Sequence, residues 1–375
     1  MPFTRRQFAL GLLAGIWASD PLQEIAHILE KATSPGWFTP PEISASVLDI
    51  YYGGKRFTRA FGAGIVPETA FVISSITKPM VATAVMVLQD RKELNIEDRV
   101  SKFVPEFDKD SRGEVNIRHL LTHTSGLPDN LPHVHKLVSQ NVSLHDMFLQ
   151  TCKLPLLFKP GTAVSYSNLG VLLSKEIIER LGGIPLPEFL AQEVFHPLSM
   201  NFTSLGLDRR EAKSIAENQT PENPTSHHQH DFATPWGGVY STAADVSRFL
   251  HYFVNASGPP LRPETASSML KNHNQGLNQP WGIGWMLAYS HDVYYKVSPT
   301  WRRYGWPALW GNPEHLPAFG INCSPATFGH YGVTGTLAWA DPQRQISLVL
   351  LTTRAVRHSR DGVFGTVSDL ASLLI

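Results

Sequence analysis

The strand-prone runs of this 375-residue chain lie at its two ends. Residues 43–63, ISASVLDIYYGGKRFTRAFGA, read as two short strands around Tyr52-Gly53-Gly54-Lys55, where the Gly-Gly pair signals a hairpin turn. GTLAWAD (335–341) and ISLVLLTTR (346–354) form a second pair, joined by the turn DPQRQ. The middle is helical in pattern. A helix follows Ser75 and ends near Asp90-Arg91-Lys92, NIRHLLTHTSG (116–126) reads as a short helix with a glycine stop, and STAADVSRFLHYF (241–253) opens with Thr242 and Asp245 spaced as a capping box. A last helix is expected over 362–374. Strands at both termini with helices between them are most simply one antiparallel sheet built from both ends, flanked by helices. The fold class is then α/β (α+β), with a mostly helical region inserted over about 100–225. Neither an internal repeat nor a low-complexity linker divides residues 22–375, which read as a single catalytic domain.

Composition permits a large core and excludes some partners. Apolar residues make up 42% and charged residues 17%, enough to bury a sizeable interior. Lys+Arg and Asp+Glu number 32 each, and no basic stripe points to nucleic acid. Cys152 and Cys323 are too few for a disulfide framework and lack C-x-x-C spacing, so each reads as a buried thiol. At the N-terminus Arg5 and Arg6 precede a short apolar run, Phe8–Ala18, with no acidic residue before Asp20. Residues 1–21 are therefore expected to be a twin-arginine export signal, giving a periplasmic or secreted protein; the alternative is an ordinary N-terminal helix on a cytoplasmic one. The run is too short to span a bilayer, and no later segment is apolar enough.

The chemistry starts at ISSITKPM (73–80). Residues i and i+3 share a helix face, so Lys78 lies beside the Ser75 hydroxyl if the helix opens there. Pro79 is tolerable only in a first turn, which agrees with that start. A serine hydroxyl is a poor nucleophile until a base takes its proton. A lysine buried at an apolar helix head has its pKa lowered toward a useful range, and the helix N-terminus favours a forming oxyanion. Ser74 is a poorer candidate, because its +3 partner is Thr77.

Together with IRHLLTHTSGLP (117–128), YSN (166–168), GGVYSTAADVSRF (237–249), WGIGW (281–285) and FGHYGVTGTLAWADP (328–342), this stretch resembles the serine β-lactamase-like family. That family includes class C-type β-lactamases, DD-peptidases and related serine carboxylesterases. The resemblance runs in order from about residue 43 to 355. It implies Ser75 as the acylated nucleophile, Lys78 as its partner base, and Tyr166 as a phenolate or hydrogen-bonded phenol that relays protons. It implies that Asn168 hydrogen-bonds Lys78 and the substrate, and that His330-Tyr331-Gly332 forms the third motif on the strand lining the cleft. The oxyanion hole would be the backbone N–H groups of Ser75 and Val333. No cofactor and no metal are implied.

One departure bears on substrate. Members acting on β-lactams or peptide carboxylates usually carry Lys-Thr-Gly at the third motif, where a fixed positive charge meets a carboxylate. His330 is mostly neutral near pH 7, so the chain stands closest to the esterase-like members. The expected substrate is a neutral small-molecule ester, hydrolysed through an acyl-enzyme. The alternatives are a cell-wall D-Ala-D-Ala amide hydrolase or weak β-lactamase, and a non-catalytic binding module on the same scaffold. An α/β-hydrolase would need a G-x-S-x-G elbow, which the chain lacks. His119 and His123 are four apart on the expected helix, but without H-E-x-x-H they read as structural. SHHQHD (226–231) reads as solvated loop histidines. The aromatic stretch 292–325, with Trp301, Trp306 and Trp310, either walls an acyl pocket or pins its loop by packing.

Overall fold

The computed structural model describes residues 20–36, 41–206, 215–216, 233–277, 279–288, 319–320, 322–354 and 363–374. Its main sheet has strands β1 (Ser46–Tyr52), β2 (Lys55–Phe61), β6 (Met286–Leu287), β7 (Phe328–Gly332), β8 (Thr336–Asp341) and β9 (Ile346–Thr352). Their order is β2-β1-β9-β8-β7-β6, every pairing antiparallel. The seam between the two chain ends is β1 against β9, with Val47 opposite Leu351 and Asp49 opposite Val349. A sheet built from both termini is therefore what forms. Gly53 and Gly54 both take positive φ (54° and 76°), as a two-residue hairpin requires. The DPQRQ turn is tied by Asp341, whose Oδ1 accepts the Gln343 and Arg344 N–H groups at 3.1 and 3.2 Å.

The helices are α1 (Pro21–Thr33), α2 (Thr77–Asp90), α3 (Ile117–Leu121), α4 (Val134–Ser139), α5 (Leu144–Thr151), α6 (Asn168–Gly182), α7 (Leu186–Leu190), α8 (Ala243–Asn255), α9 (Pro263–Met269) and α10 (Gly365–Ala371). A second, three-stranded sheet, β3-β5-β4, joins β3 (Phe71–Val72), β4 (Ser204–Leu205) and β5 (Val239–Ser241).

Period-two alternation splits the apolar residues of the main sheet between two layers. Val47, Ala338, Ala340, Val349 and Leu351 face the larger core, shared with α2, α6 and α8. Leu48, Ile50, Leu337, Trp339, Leu348 and Leu350 face a smaller one, closed by α1 and α10. The central helix α2 is buried on every side from Thr77 to Leu88, as a helix enclosed by protein must be. Each large apolar side chain so buried contributes about 1.5–3 kcal/mol.

Three local expectations change. α3 stops at Leu121, with Thr122 as its C-cap, well before Gly126. His123 is therefore off the helix, in a left-handed conformation (φ 59°), and does not share a helix face with His119. WGIGW lies outside regular strand pairing: Trp281 makes an isolated bridge to Met286, and regular pairing begins at Met286. The Thr242 cap forms, its hydroxyl accepting Asp245 N–H at 3.2 Å, but the Asp245 carboxylate turns to Phe202 N–H and Thr203 Oγ1 at 2.8 and 2.9 Å. Half a capping box results, with the other half spent on anchoring the β4 segment.

Candidate active site

Ser75 lies in a single 3₁₀ turn, Ser74–Ile76, that runs straight into α2. This is the helix start that Pro79 demanded. Ser74 is held at φ 49°, a strained conformation for a residue with a side chain. The second sheet secures the approach: β3 pairs with β5, and Ile73 N–H donates to Val239 O at 2.9 Å.

The β7–β8 hairpin is bolted to the same approach. Thr334 Oγ1 donates to Val72 O at 3.0 Å, and Thr336 Oγ1 donates to Ile73 O at 2.9 Å. Gly332 makes this closeness feasible. A Cβ there would stand 2.3 Å from Thr336 Oγ1, 2.5 Å from Ile73 O and 2.8 Å from Ser74 Cβ. The hairpin thus carries Val333 alongside the Ser75 turn. Among the described residues neither Ser75 N–H nor Val333 N–H donates to a backbone acceptor of the turns and loops.

Lys78 is 3% exposed. Its Nζ donates to Ser75 Oγ at 2.9 Å and to Trp236 O at 2.8 Å, and lies 4.7 Å above the Tyr166 ring. Burial lowers its pKa to about 7, against the opposing pull of the Asp129 carboxylate. Burial pushes the Tyr166 phenol well above its ordinary range, and the Ser75 hydrogen bond recovers part of that shift. Tyr166 is accordingly a neutral phenol rather than a phenolate, and Lys78 is the group whose charge changes near neutral pH.

Tyr166 precedes α6, whose N-cap Ser167 accepts Gly170 N–H at 3.2 Å. His123 fixes this junction from below. Its carbonyl accepts Ser165 N–H at 2.8 Å, its Nδ1 accepts Ser167 N–H at 3.2 Å, and its ring lies 4.6 Å from that of Tyr166. Burial, and then the Lys78 charge, hold His123 neutral. His119 works elsewhere, in the cap of α3, where its Nδ1 accepts Asn116 N–H at 3.2 Å.

Asn168 is a correction. Its Nδ2 donates to Asn130 Oδ1 at 3.1 Å, and its buried Oδ1 has no partner, so the expected bond with Lys78 is not made. Lys78 uses the Trp236 carbonyl instead. Asn168 N–H donates to Asp129 O at 3.0 Å and Asp129 Oδ1 at 3.3 Å, which fixes Asp129 to the head of α6. The motif read as IRHLLTHTSGLP ends one residue short of Asp129. Its only signal in the sequence is an acid placed directly after that motif.

His330 is 1% exposed on β7. Its Nδ1 lies 2.8 Å from Tyr331 O, and Nε2 has no partner. Burial, with the Lys78 charge, lowers its pKa to about 3. The third motif therefore presents no cation from His330. Cys152 is buried and Cys323 half-buried; both are free thiols, pushed up to about 12 by burial. SHHQHD and nearly all of the aromatic stretch 292–325, its tryptophans included, lie outside the described residues. Among the described residues no three metal-binding side chains cluster, and no helix is long and apolar enough to cross a membrane.

The family model described as Beta-lactamase matches residues 38–371. Esterase EstB of Burkholderia gladioli is 26% identical over 343 residues, covering 79% of this chain and 80% of that protein. A provisionally named D-alanyl-D-alanine carboxypeptidase of Escherichia coli (strain K12) is 23% identical over 326 residues, covering 76% and 69%. A solved structure titled EstCE1, a hydrolase with promiscuous acyltransferase activity, superposes with a TM-score of 0.73 at 21% identity, covering 94% and 98% of the two chains. The chain spans between about half and four fifths of the length of the curated relatives it matches.

Proposed function

We propose that this chain, which belongs to the β-lactamase family, is a serine carboxylesterase that works on neutral esters through an acyl-enzyme. The observation that carries the reading is the buried Lys78, 2.9 Å from Ser75 Oγ and with its pKa lowered to about 7. In its neutral form Lys78 takes the Ser75 proton as Oγ attacks the ester carbonyl. The tetrahedral oxyanion is received by the N–H groups of Ser75 and Val333. Tyr166, hydrogen-bonded to Ser75, hands its proton to the leaving alkoxide and recovers one from Lys78. Water then attacks the acyl-enzyme, giving its proton back through the same pair, and Ser75 is released with the acid.

The neutral His330 supports esters over carboxylate-bearing amides, because a substrate carboxylate would meet no charge partner there. The rival reading, a cell-wall amide hydrolase, is favoured by the carboxypeptidase name of one relative. The test is steady-state hydrolysis of nitrophenyl butyrate by the wild type and Ser75→Ala, with a fluorogenic cephalosporin alongside. Ester turnover that disappears in Ser75→Ala supports the esterase. Cleavage of the cephalosporin alone would hand the reading to the amide hydrolase. Export through the Arg5-Arg6 leader belongs to the same proposal. It predicts a periplasmic or secreted product that Arg5→Lys/Arg6→Lys retains in the cytoplasm, as fractionation would reveal.

A further inference from the structure

The tautomer of His330 is fixed by its neighbour. Nδ1 sits 2.8 Å from the Tyr331 carbonyl, which can only accept, so Nδ1 carries the hydrogen. The ring is neutral, with its pKa lowered to about 3. The remaining nitrogen, Nε2, is therefore a lone-pair acceptor, and it is buried without a partner. Trp281 supplies the complement. It is 1% exposed, and its Nε1–H is a buried donor that also lacks a partner. The two rings pack edge to face with centroids 6.1 Å apart, and both border the Tyr166 ring, at 6.2 Å for His330 and 6.1 Å for Trp281.

Buried polar groups are almost always satisfied, and two open ones around a single catalytic phenol point to a ligand group. One acceptor and one donor together match a group that both donates and accepts, which a hydroxyl does and a carboxylate does not. A carboxylate would set its lone pairs against that of Nε2, with the Asp129 charge facing the same Lys78–Tyr166 pair.

We propose that His330 Nε2 and Trp281 Nε1–H select esters whose leaving alcohol carries a second hydroxyl, as in monoesters of glycols and other polyols. This rests on the esterase reading above, and it places the hydroxyl on the leaving side because Tyr166 serves the leaving oxygen. His330 is thus a specificity residue of opposite hydrogen-bonding sense to a lysine at the same position. It receives a donor where a lysine would give one.

The experiment compares kcat/KM for 2-hydroxyethyl, 2-methoxyethyl and carboxymethyl butyrate, with nitrophenyl butyrate as the reference ester. The methoxy compound keeps the inductive effect of the oxygen and removes only the donor. The wild type is expected to prefer the hydroxyethyl over the methoxyethyl ester by about five- to tenfold, the worth of one hydrogen bond, and to handle the carboxymethyl ester worst. That preference should fall to about unity in His330→Phe and shrink in Trp281→Phe. Equal wild-type rates for the hydroxyethyl and methoxyethyl esters would overturn the proposal without any variant having to fold. So would a preference that survives in His330→Phe. Turnover of nitrophenyl butyrate with no such preference sinks this inference alone. No turnover of any ester sinks the esterase reading and this one with it.

Discussion

Two walls frame the Ser75 site, helix α2 and strand β7, and among the described residues each brings one buried basic side chain to it. On the helix wall Lys78 is 3% exposed, and on the strand wall His330 is 1% exposed. Burial penalises the charged form of both, yet they finish in different states. Lysine starts from 10.5 and is lowered to about 7, with the Asp129 charge pulling the other way. Histidine starts from 6.5, has the Lys78 charge added against it, and finishes at about 3. The same loss of water makes one residue a base poised near neutrality and the other a permanently neutral acceptor. On the function proposed above, the helix wall would do the proton chemistry, and the His330 side chain of the strand wall would do recognition.

This contrast is broken most severely at the nucleophile. Ser75→Ala should lower ester hydrolysis by at least about 1,000-fold with the far-UV circular dichroism unchanged, because it removes the hydroxyl that Lys78 Nζ contacts at 2.9 Å. Lys78→Met, which keeps the volume and removes the base, should cost roughly 100- to 10,000-fold in kcat. Single-turnover kinetics would locate that loss in acylation. On the strand wall Gly332→Ala should drive β7 away from Ile73 and Ser74. A loss of about 1–3 kcal/mol in stability is expected from the overpacking, read by urea denaturation, together with a fall in kcat from displacement of the Val333 N–H. Asp129→Asn is the mildest change. Removing its charge lets the Lys78 pKa fall further, so the acid limb of activity should shift to lower pH while the hydroxyethyl to methoxyethyl preference stays put. A change in that preference would mean the two walls are not separable in the way described.

Much of this was legible in the sequence where the contacts are local or periodic. The Gly53-Gly54 hairpin and the alternation in β1, β8 and β9 specify a sheet joined from both ends, because a one-residue slip would turn Leu48 and Val349 to the wrong layer. Ser75 and Lys78 are readable because three residues of helix bring them together. What the sequence hides is long-range. Trp236 O meets Lys78 from 158 positions away. Asp129 becomes relevant only through its attachment to Asn168 at the head of α6. Asn168 itself misleads, since the family resemblance implies a lysine partner while the fold offers Asn130 first. The left-handed turn at His123 has no glycine to announce it, and it converts an apparent i, i+4 histidine pair into a helix cap and a support for Tyr166.

The most direct measurement is the pH dependence of kcat/KM for nitrophenyl butyrate by the wild-type enzyme. A base that must be neutral to act gives a rate that rises with pH through its own pKa. The expected result is a single acid limb with an apparent pKa near 7, the value burial gives Lys78. A limb near 10, or a rate flat from pH 5 to pH 9, would contradict the assignment of Lys78 as the base.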